Sequence, residues 1–414
     1  MGVRPPAGGP AGLPGGEADV NRYLSVRDLP VRGRKILVRV DLNVPMREGR
    51  IQDETRITAV LPTLTSILDR GGAVIACSHL GRPKGTVVPA LSLGPVARRL
   101  SELLPGRTVL AAEDVVGPDA VAKAAKLRPG EILLLENVRF EAGETKGDKA
   151  FAEALRSLAD LYVNDAFGAC HRAHVSVHAV AQLFPQAAAG LLLERELEYL
   201  EGRLNDPERP YAAFLGGAKV SDKVPILERL LDRVDSLCVG GAMALNFLAA
   251  QGRPAGKSLM EPDLAPVCEA ILGRAVKNNV NLLLPVDHVA AATVEADRAE
   301  VVEADALPEG LAAFDIGPRT IRRFSDVALA SRTLFWNGPM GVFERPLFST
   351  GTIELAKAVA ASGGVSVIGG GDSVSAVHAA GVASSIDHIS TGGGASLALV
   401  AGEKLPGLEF LSRL

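Results

Sequence analysis

The chain has 414 residues, with 47% hydrophobic and 22% charged, a globular composition that excludes a disordered or fibrous protein and leaves room for two or three domains. A net charge of -4 excludes a general attraction to nucleic acid, so any anion site must be a local basic cluster. There is no apolar run long enough for a membrane span and no signal-peptide core. Cys77, Cys170, Cys238 and Cys268 stand far apart without a CxxC pair, the pattern of a reducing compartment. The expectation is a cytoplasmic protein with no membrane or nucleic-acid partner.

Residues 1–20 are rich in Gly, Pro and Ala and read as a flexible extension. Lys35–Asp41 (KILVRVD) then predicts a strand, Thr55–Arg70 a helix and Ala73–Ser78 a buried strand. Val96–Leu104 predicts a helix, Thr108–Leu110 and Ile132–Leu135 strands, Lys149–Leu158 a helix and Leu161–Val163 a strand. Strand, loop, helix in repetition predicts α/β architecture, a parallel sheet covered on both faces. Ligands bind outside the carboxyl ends of such strands. Asp41, Asn43, Arg56, His79, Arg82, Arg139, His171 and Arg172 all fall at or near that rim. The bland alternative is a set of solvated arginines. Several arginines and a histidine at successive strand ends instead favour one anion site, because guanidinium grips carboxylate and phosphate through paired bonds.

Leu191–Pro210 is charged and helical in pattern and reads as a connection between domains. The rhythm resumes with strands at Tyr211–Leu215, Ser236–Val239, Asn281–Leu284, Ala312–Ile316, Thr333–Trp336 and Val365–Ile368. Leu215–Lys223 (LGGAKVSDK) joins a strand to a helix through glycines. Lys219 and Lys223 share a face if the turn is helical, beside a helix start that favours anions. The alternative there is a solvated helix start capped by Ser221.

Gly369–Ser373 (GGGDS) follows a strand and opens a helix, the context of a phosphate-cradling backbone in which Asp372 could hold Mg²⁺; the alternative is a capped turn. Thr391–Gly394 (TGGG) is a second such candidate. Gly252–Ser258 (GRPAGKS) imitates a P-loop but has one residue too few between its glycines and follows a helix pattern, so it reads as a surface loop. His171, His174 and His178 beside Cys170 lack a zinc signature. Trp336 reads as packing.

VRVDLNVP, RIT, SHLGRPKG, ENVRF, YVNDAFGACHRAH, LGGAKVSDK, DIGP, FWNGPMGVFE, GGGDS and ISTGGGAS stand in one order between about Tyr23 and the C-terminus. Together they resemble the phosphoglycerate kinase family. The resemblance implies two Rossmann-like lobes with parallel sheets covered by helices, joined by a hinge helix. Residues 21–190 would bind phosphoglycerate, 191–210 form the hinge, 211–390 bind nucleotide, and 391–414 return to the first lobe. It implies a monomer that transfers phosphoryl reversibly from 1,3-bisphosphoglycerate to ADP, giving 3-phosphoglycerate and ATP, with Mg²⁺.

By the same resemblance, Asp41, Leu42, Asn43, Arg56, His79, Leu80, Gly81, Arg82, Arg139, His171 and Arg172 would hold the triose. Gly217, Ala218, Lys219, Lys223, Ala313, Asn337, Glu344, Gly370, Gly371, Asp372 and Ser373 would hold the nucleotide, with Asp372 on the metal. Arg56, Lys219, Gly393 and Gly394 would act on the moving phosphoryl group. The chain departs from the family pattern at Leu42, Ala242, Ala313, Phe314 and Ala398, and Ala313 is expected to narrow the adenine slot. A non-catalytic nucleotide-binding scaffold is the alternative; retention of Arg56, Lys219 and Asp372 favours the kinase.

Overall fold

A computed structural model describes residues 23–414; the expected extension over residues 1–20 lies outside them. The first half supplies strands β1 (Lys35–Val40), a small hairpin of β2 (Met46–Arg47) and β3 (Arg50–Ile51), β4 (Ala73–Cys77), β5 (Val109–Ala111), β6 (Ile132–Leu134), β7 (Leu161–Asp165) and β8 (Ala187–Ala189). Apart from the hairpin they form one parallel sheet in the order β5-β6-β4-β1-β7-β8. Its helices are α1 (Thr55–Asp69), α2 (Gly94–Leu103), α3 (Pro118–Lys126) and α4 (Lys149–Ser157).

Strand β1 shows why the sheet is buried on both sides. Ile36, Val38 and Val40 pack with Ile57, Val60 and Leu64 of α1 and Val96 and Leu100 of α2. Leu37, on the opposite face, packs with the residues of α3 and α4, Ala120, Phe151 and Leu155 among them. Each such Val or Leu, fully buried, contributes about 1.5–3 kcal/mol. Arg39 shares the Leu37 face and is 1% exposed, so it needs polar partners inside the lobe.

The second half repeats the plan. Strands β9 (Tyr211–Leu215), β10 (Ser236–Val239) and β11 (Asn281–Leu283) lead to β12 (Asp287–Ala291), β13 (Glu300–Glu303) and β14 (Ala312–Ile316), then β15 (Thr333–Asn337), β16 (Val365–Gly369) and β17 (His388–Ile389). The main sheet is parallel, ordered β11-β10-β9-β15-β16-β17. Its helices are α6 (Val224–Leu230), α7 (Met243–Ala250), α8 (Ala265–Lys277), α9 (Pro318–Ala330), α10 (Thr350–Ala361) and α11 (Gly371–Ala379). Trp336 is fully buried in this core, its indole N–H donating to Gly338 O at 2.8 Å.

One strand departs from the expected plan. Ala312–Ile316 lies in a separate antiparallel sheet, β13-β12-β14. Parallel pairing needs a long crossover, usually a helix, and no helix stands between Ala291 and Ala312.

Between the sheets, α5 (Leu191–Leu197) continues as a wider π-helical stretch over Glu198–Arg203. Asp165 at the end of β7 accepts the amides of Leu192 and Leu193 through Oδ1, at 2.9 and 3.1 Å. Burial raises its carboxyl to about 7. From the middle of this connection Glu196, fully buried, accepts from Thr391 N (2.7 Å) and Thr391 Oγ1 (2.8 Å) and pairs with His388 Nε2 (2.8 Å). The connecting helix therefore grips the loop that follows β17.

The chain then forms α12 (Gly394–Val400) and α13 (Pro406–Glu409) and docks on the first sheet. Gly407 N donates to Cys170 O (2.9 Å), Ser412 N to Ala187 O (2.8 Å) and Leu24 N to Ser412 O (2.7 Å).

Candidate active site

A cavity of about 310 Å³ opens at the carboxyl ends of the first sheet. Asp41, Asn43, Arg56, His79, Gly81, Arg82, Arg139, His171 and Arg172 line it, and Gly392, Gly393 and Gly394 close its far side. Leu42 and Leu80, expected in the same set, turn their side chains into the core. Their amides donate to Ser78 Oγ and Asn137 Oδ1.

Several cations of the rim are held in place before any ligand arrives. Arg56 Nη1 donates to Asn43 O at 2.9 Å and stands 3.5 Å from Asp41 Oδ2. Arg139, buried, donates to Gly81 O at 2.6 Å. Burial, then Arg172 and Arg39, push its guanidinium down to about 10. Arg172 Nε donates to His171 Nε2 at 2.9 Å. Asn43 Oδ1 accepts from Gly81 N at 2.8 Å, which leaves its amide NH₂ for a ligand. Arg82 is exposed.

Behind the rim lies a layer that the sequence reading passed over. Arg39 donates to Ser176 Oγ (2.8 Å) and to Val40 O, and meets His79 Nδ1 at 3.0 Å. Ser176 in turn donates through N and Oγ to the fully buried Glu144, at 2.9 and 2.6 Å. Burial raises the Glu144 carboxyl and Arg39 opposes that rise. Burial, then Arg39, Arg139, Arg172 and Arg56, hold the His79 imidazole well below its usual value. A neutral His79 that accepts at Nδ1 carries its proton on Nε2, as a donor for an anion. The signal was an arginine inside an apolar strand, KILVRV, at a position buried on both faces.

The neighbouring histidines diverge. His178 pairs with Glu409 at 3.1 Å, His174 stands 4.0 Å from Glu144, and His171 bonds Arg172. Among the described residues no cluster of three or more His, Cys, Asp or Glu side chains could hold a metal.

Gly392 shows why this loop can close on the rim. A Cβ there would stand 2.4 Å from Phe167 Cε1, so only glycine admits the approach. At Gly168 on the facing turn, an added Cβ would lie 2.8 Å from Asp41 Oδ2 and 3.4 Å from Thr391 O.

The second rim is built differently. The Gly216–Lys223 turn is not helical; α6 begins at Val224, so Lys219 and Lys223 do not share a helical face. Ser221 is no cap, because its Oγ donates to Glu261 Oε1 at 2.6 Å. Gly217 has a φ of 117°. Ala218 and Lys219 are exposed, and Lys219 joins no ion pair among the described residues. Lys223 is half-buried against Asn337 Oδ1, and burial brings its ammonium down to about 8 against the pull of Asp222 and Asp372.

Asn337 also donates to Gly369 O at 2.7 Å, next to Gly370 with its φ of 92°. Helix α11 starts at Gly371. Ser373 Oγ accepts from Gly338 N at 2.6 Å, which pins the start of α11 to the turn after β15. Glu344 is exposed. Ala313 is buried with Leu245, Leu248, Ala290 and Leu307. Ala242 takes ordinary helical angles, φ -62° and ψ -28°, so replacing a glycine there costs no strain. Gly252–Ser258 is a loop after α7.

None of the nucleotide set lines the 310 Å³ cavity. Asp372 is exposed, near enough to Lys223 to influence it, and makes no ion pair among the described residues. An exposed carboxylate at the glycine-rich start of a helix suits Mg²⁺, which takes oxygen ligands and keeps several waters.

The family model described as phosphoglycerate kinase matches residues 26–403. The phosphoglycerate kinase of Moorella thermoacetica is 53% identical over 390 residues, covering 94% of this chain and 99% of that protein. That of Roseiflexus castenholzii is 49% identical, covering 94% and 98%. Among solved structures, the phosphoglycerate kinase from Coxiella burnetii aligns with a TM-score of 0.85 at 38% identity, covering 94% and 99%. The Pyrococcus horikoshii enzyme aligns at 0.81 and 34%, covering 94% and 98%.

Proposed function

The chain belongs to the phosphoglycerate kinase family of phosphotransferases, and from that premise we propose which residues carry the transfer. The observation that carries the reading is the arginine-lined cavity sealed by Gly392–Gly394. Its charge and size suit a small, highly anionic triose. Residues 21–190 hold 3-phosphoglycerate or 1,3-bisphosphoglycerate, with Arg82, Arg139, His171 and Arg172 on its charges, His79 as a neutral donor, and Asp41 and Asn43 on its hydroxyl and carboxyl end. Residues 211–390 hold ADP or ATP, 191–210 act as the hinge, and 391–414 tie the second lobe back to the first.

A terminal ADP oxygen forms the new P–O bond as the acyl-phosphate bond breaks, releasing the carboxylate of 3-phosphoglycerate. That carboxylate is ionised at neutral pH, so neither direction needs a general base. What remains is positioning and charge neutralisation. Arg56 and the Gly393 and Gly394 amides meet the moving phosphoryl group from one side, and Lys219 from the other. Lys223 and the amides of Gly370–Ser373 hold the phosphate chain, Glu344 the ribose, and Ala313 lies at the adenine, with Gly217, Ala218 and Asn337 also at the nucleotide. Asp372 would hold Mg²⁺, which when bound supplies further positive charge to the phosphates. Because the two rims occupy separate lobes, the hinge must close, and closure also keeps water from the acyl phosphate. The enzyme works as a cytoplasmic monomer.

The test is a coupled assay with ATP, 3-phosphoglycerate and Mg²⁺. Turnover is expected; purified protein without turnover would point to the scaffold alternative.

A further inference from the structure

Lys219 sits in a short span between two clamps. Ahead of it, Gly216 N and Gly217 N donate to Asn337 O and Pro339 O, each at 3.0 Å, and Gly217 O accepts from Met243 N at 3.1 Å. Behind it, Glu261 Oε2 accepts from Val220 N (2.6 Å) and Ser221 N (3.2 Å), while Oε1 accepts from Ser221 Oγ (2.6 Å). Only Ala218 and Lys219 lie between, both exposed.

The rear clamp comes from distant sequence and has its own footing. Glu261 N donates to Oδ1 of the buried Asn246 on α7 at 2.7 Å. Upstream, Lys257 N donates to Leu311 O (2.7 Å) and Ser258 Oγ accepts from Ala313 N (3.0 Å). The segment from the false P-loop on to Glu261 is thus a strap, fastened to β14 through Ser258 and to the lysine turn through Glu261. The Ser221 bonds hold the Glu261 carboxyl below its usual value, so it is an ionised acceptor, and bonds to an ionised acceptor are the stronger kind.

We propose that Glu261 is a positioning residue for phosphoryl transfer: as the rear clamp of the Gly216–Lys223 turn, it keeps Lys219 aimed at the phosphoryl group without touching substrate. This rests on reading Lys219 as the phosphate-facing cation of the kinase site. Removing the carboxylate leaves Lys223 N to Val220 O, at 2.8 Å, as the backbone tie behind Lys219, and the lysine samples more directions.

The test uses the full chain with Glu261→Ala and Glu261→Gln, read by turnover and by amide hydrogen exchange. Glu261→Ala is expected to lower kcat about tenfold with the KM for 3-phosphoglycerate within about twofold. It should raise exchange at Val220 and Ser221 about tenfold or more while leaving Gly371–Ser373 unchanged. Glu261→Gln keeps an acceptor for the amides and a donor for Ser221 Oγ, so it should stay within about twofold of wild type. In a Lys219→Ala background Glu261→Ala should cost less than about twofold, because a clamp with nothing to aim has no further effect.

Unchanged exchange in Glu261→Ala overturns the proposal, as does an equal loss of kcat with and without Lys219. A Glu261→Gln variant as impaired as Glu261→Ala would assign the effect to charge and overturn it too. A wild-type chain without turnover overturns the kinase reading instead, while amide exchange still decides whether Glu261 clamps the turn.

Discussion

The two rims are opposites in construction. In the first lobe the cations are mostly arginines already tied to carbonyls or to a histidine, over a buried layer of Arg39, Ser176 and Glu144. In the second, Lys219 is exposed between glycines and Lys223 is parked on Asn337. A compact triose with fixed charges rewards a cradle built in advance, because ordering it costs little at binding. A flexible phosphate chain with a metal rewards cations on long stems that can adjust. On the proposed reading, the difference teaches that a prebuilt triose cradle faces an adaptable grip on the nucleotide phosphates.

The strongest challenge to that division is Arg56→Ala. It should lower kcat by about a thousandfold or more while the ADP Kd stays within about twofold, measured by initial rates and calorimetry. Lost ADP affinity would mean that the triose and nucleotide roles are mixed. Next in size, Gly392→Ala should cost about a hundredfold in kcat, since its Cβ cannot coexist with Phe167 as placed and a misplacement of about 1 Å can cost that much. Near-normal turnover would show the cradle to be softer than it looks.

The parked lysine gives a pH signature. With its ammonium at about 8 when free, Lys223 is charged below that pH and loses its proton above it. Bound phosphate favours the charged form. ADP binding should therefore be flat below pH 8 and weaken by up to about tenfold per unit above it, as titration calorimetry would show. Lys223→Arg should flatten the profile, because guanidinium stays charged. A flat wild-type profile would remove Lys223 from the phosphate chain. Smallest of all, Ala313→Gly should change ADP affinity about threefold or less. Ala313 is packed among apolar side chains, and no change at all would dispose of the narrowed adenine slot.

The first lobe's rim was legible because its strands are buried on both faces and end abruptly in polar motifs. KILVRV, apolar but for Lys35 and Arg39, and the wholly apolar AVIAC are followed directly by Asp41 and Ser78, so strand ends and site residues could be read together. β8 was not legible. It is three alanines, Ala187–Ala189, with no β-propensity of their own, paired because β7 and the returning C-terminal segment flank them. β13 is a charged edge, Glu300–Glu303, exposed in part, and without it Ala312–Ile316 looked like one more parallel strand. Local pattern left open whether the lysine turn is helical, because nothing near Ser221 in sequence announces Glu261, which takes the amides a helix cap would have served. Local pattern reveals which residues crowd a rim; the distant bonds that aim them stay hidden.

The docking of Gly407 and Ser412 on Cys170 and Ala187 sets an order in time. During synthesis at roughly 5–20 residues per second, the stretch from Leu191 to Leu405 needs about ten seconds or more. Through that interval the first sheet has emerged, yet Cys170 O, Ala187 O and Leu24 N still await their partners. The second main sheet, β11 to β17, can form meanwhile. The half that leaves the ribosome first is the half completed last, and a nascent chain halted before Leu405 carries an open seam along β8.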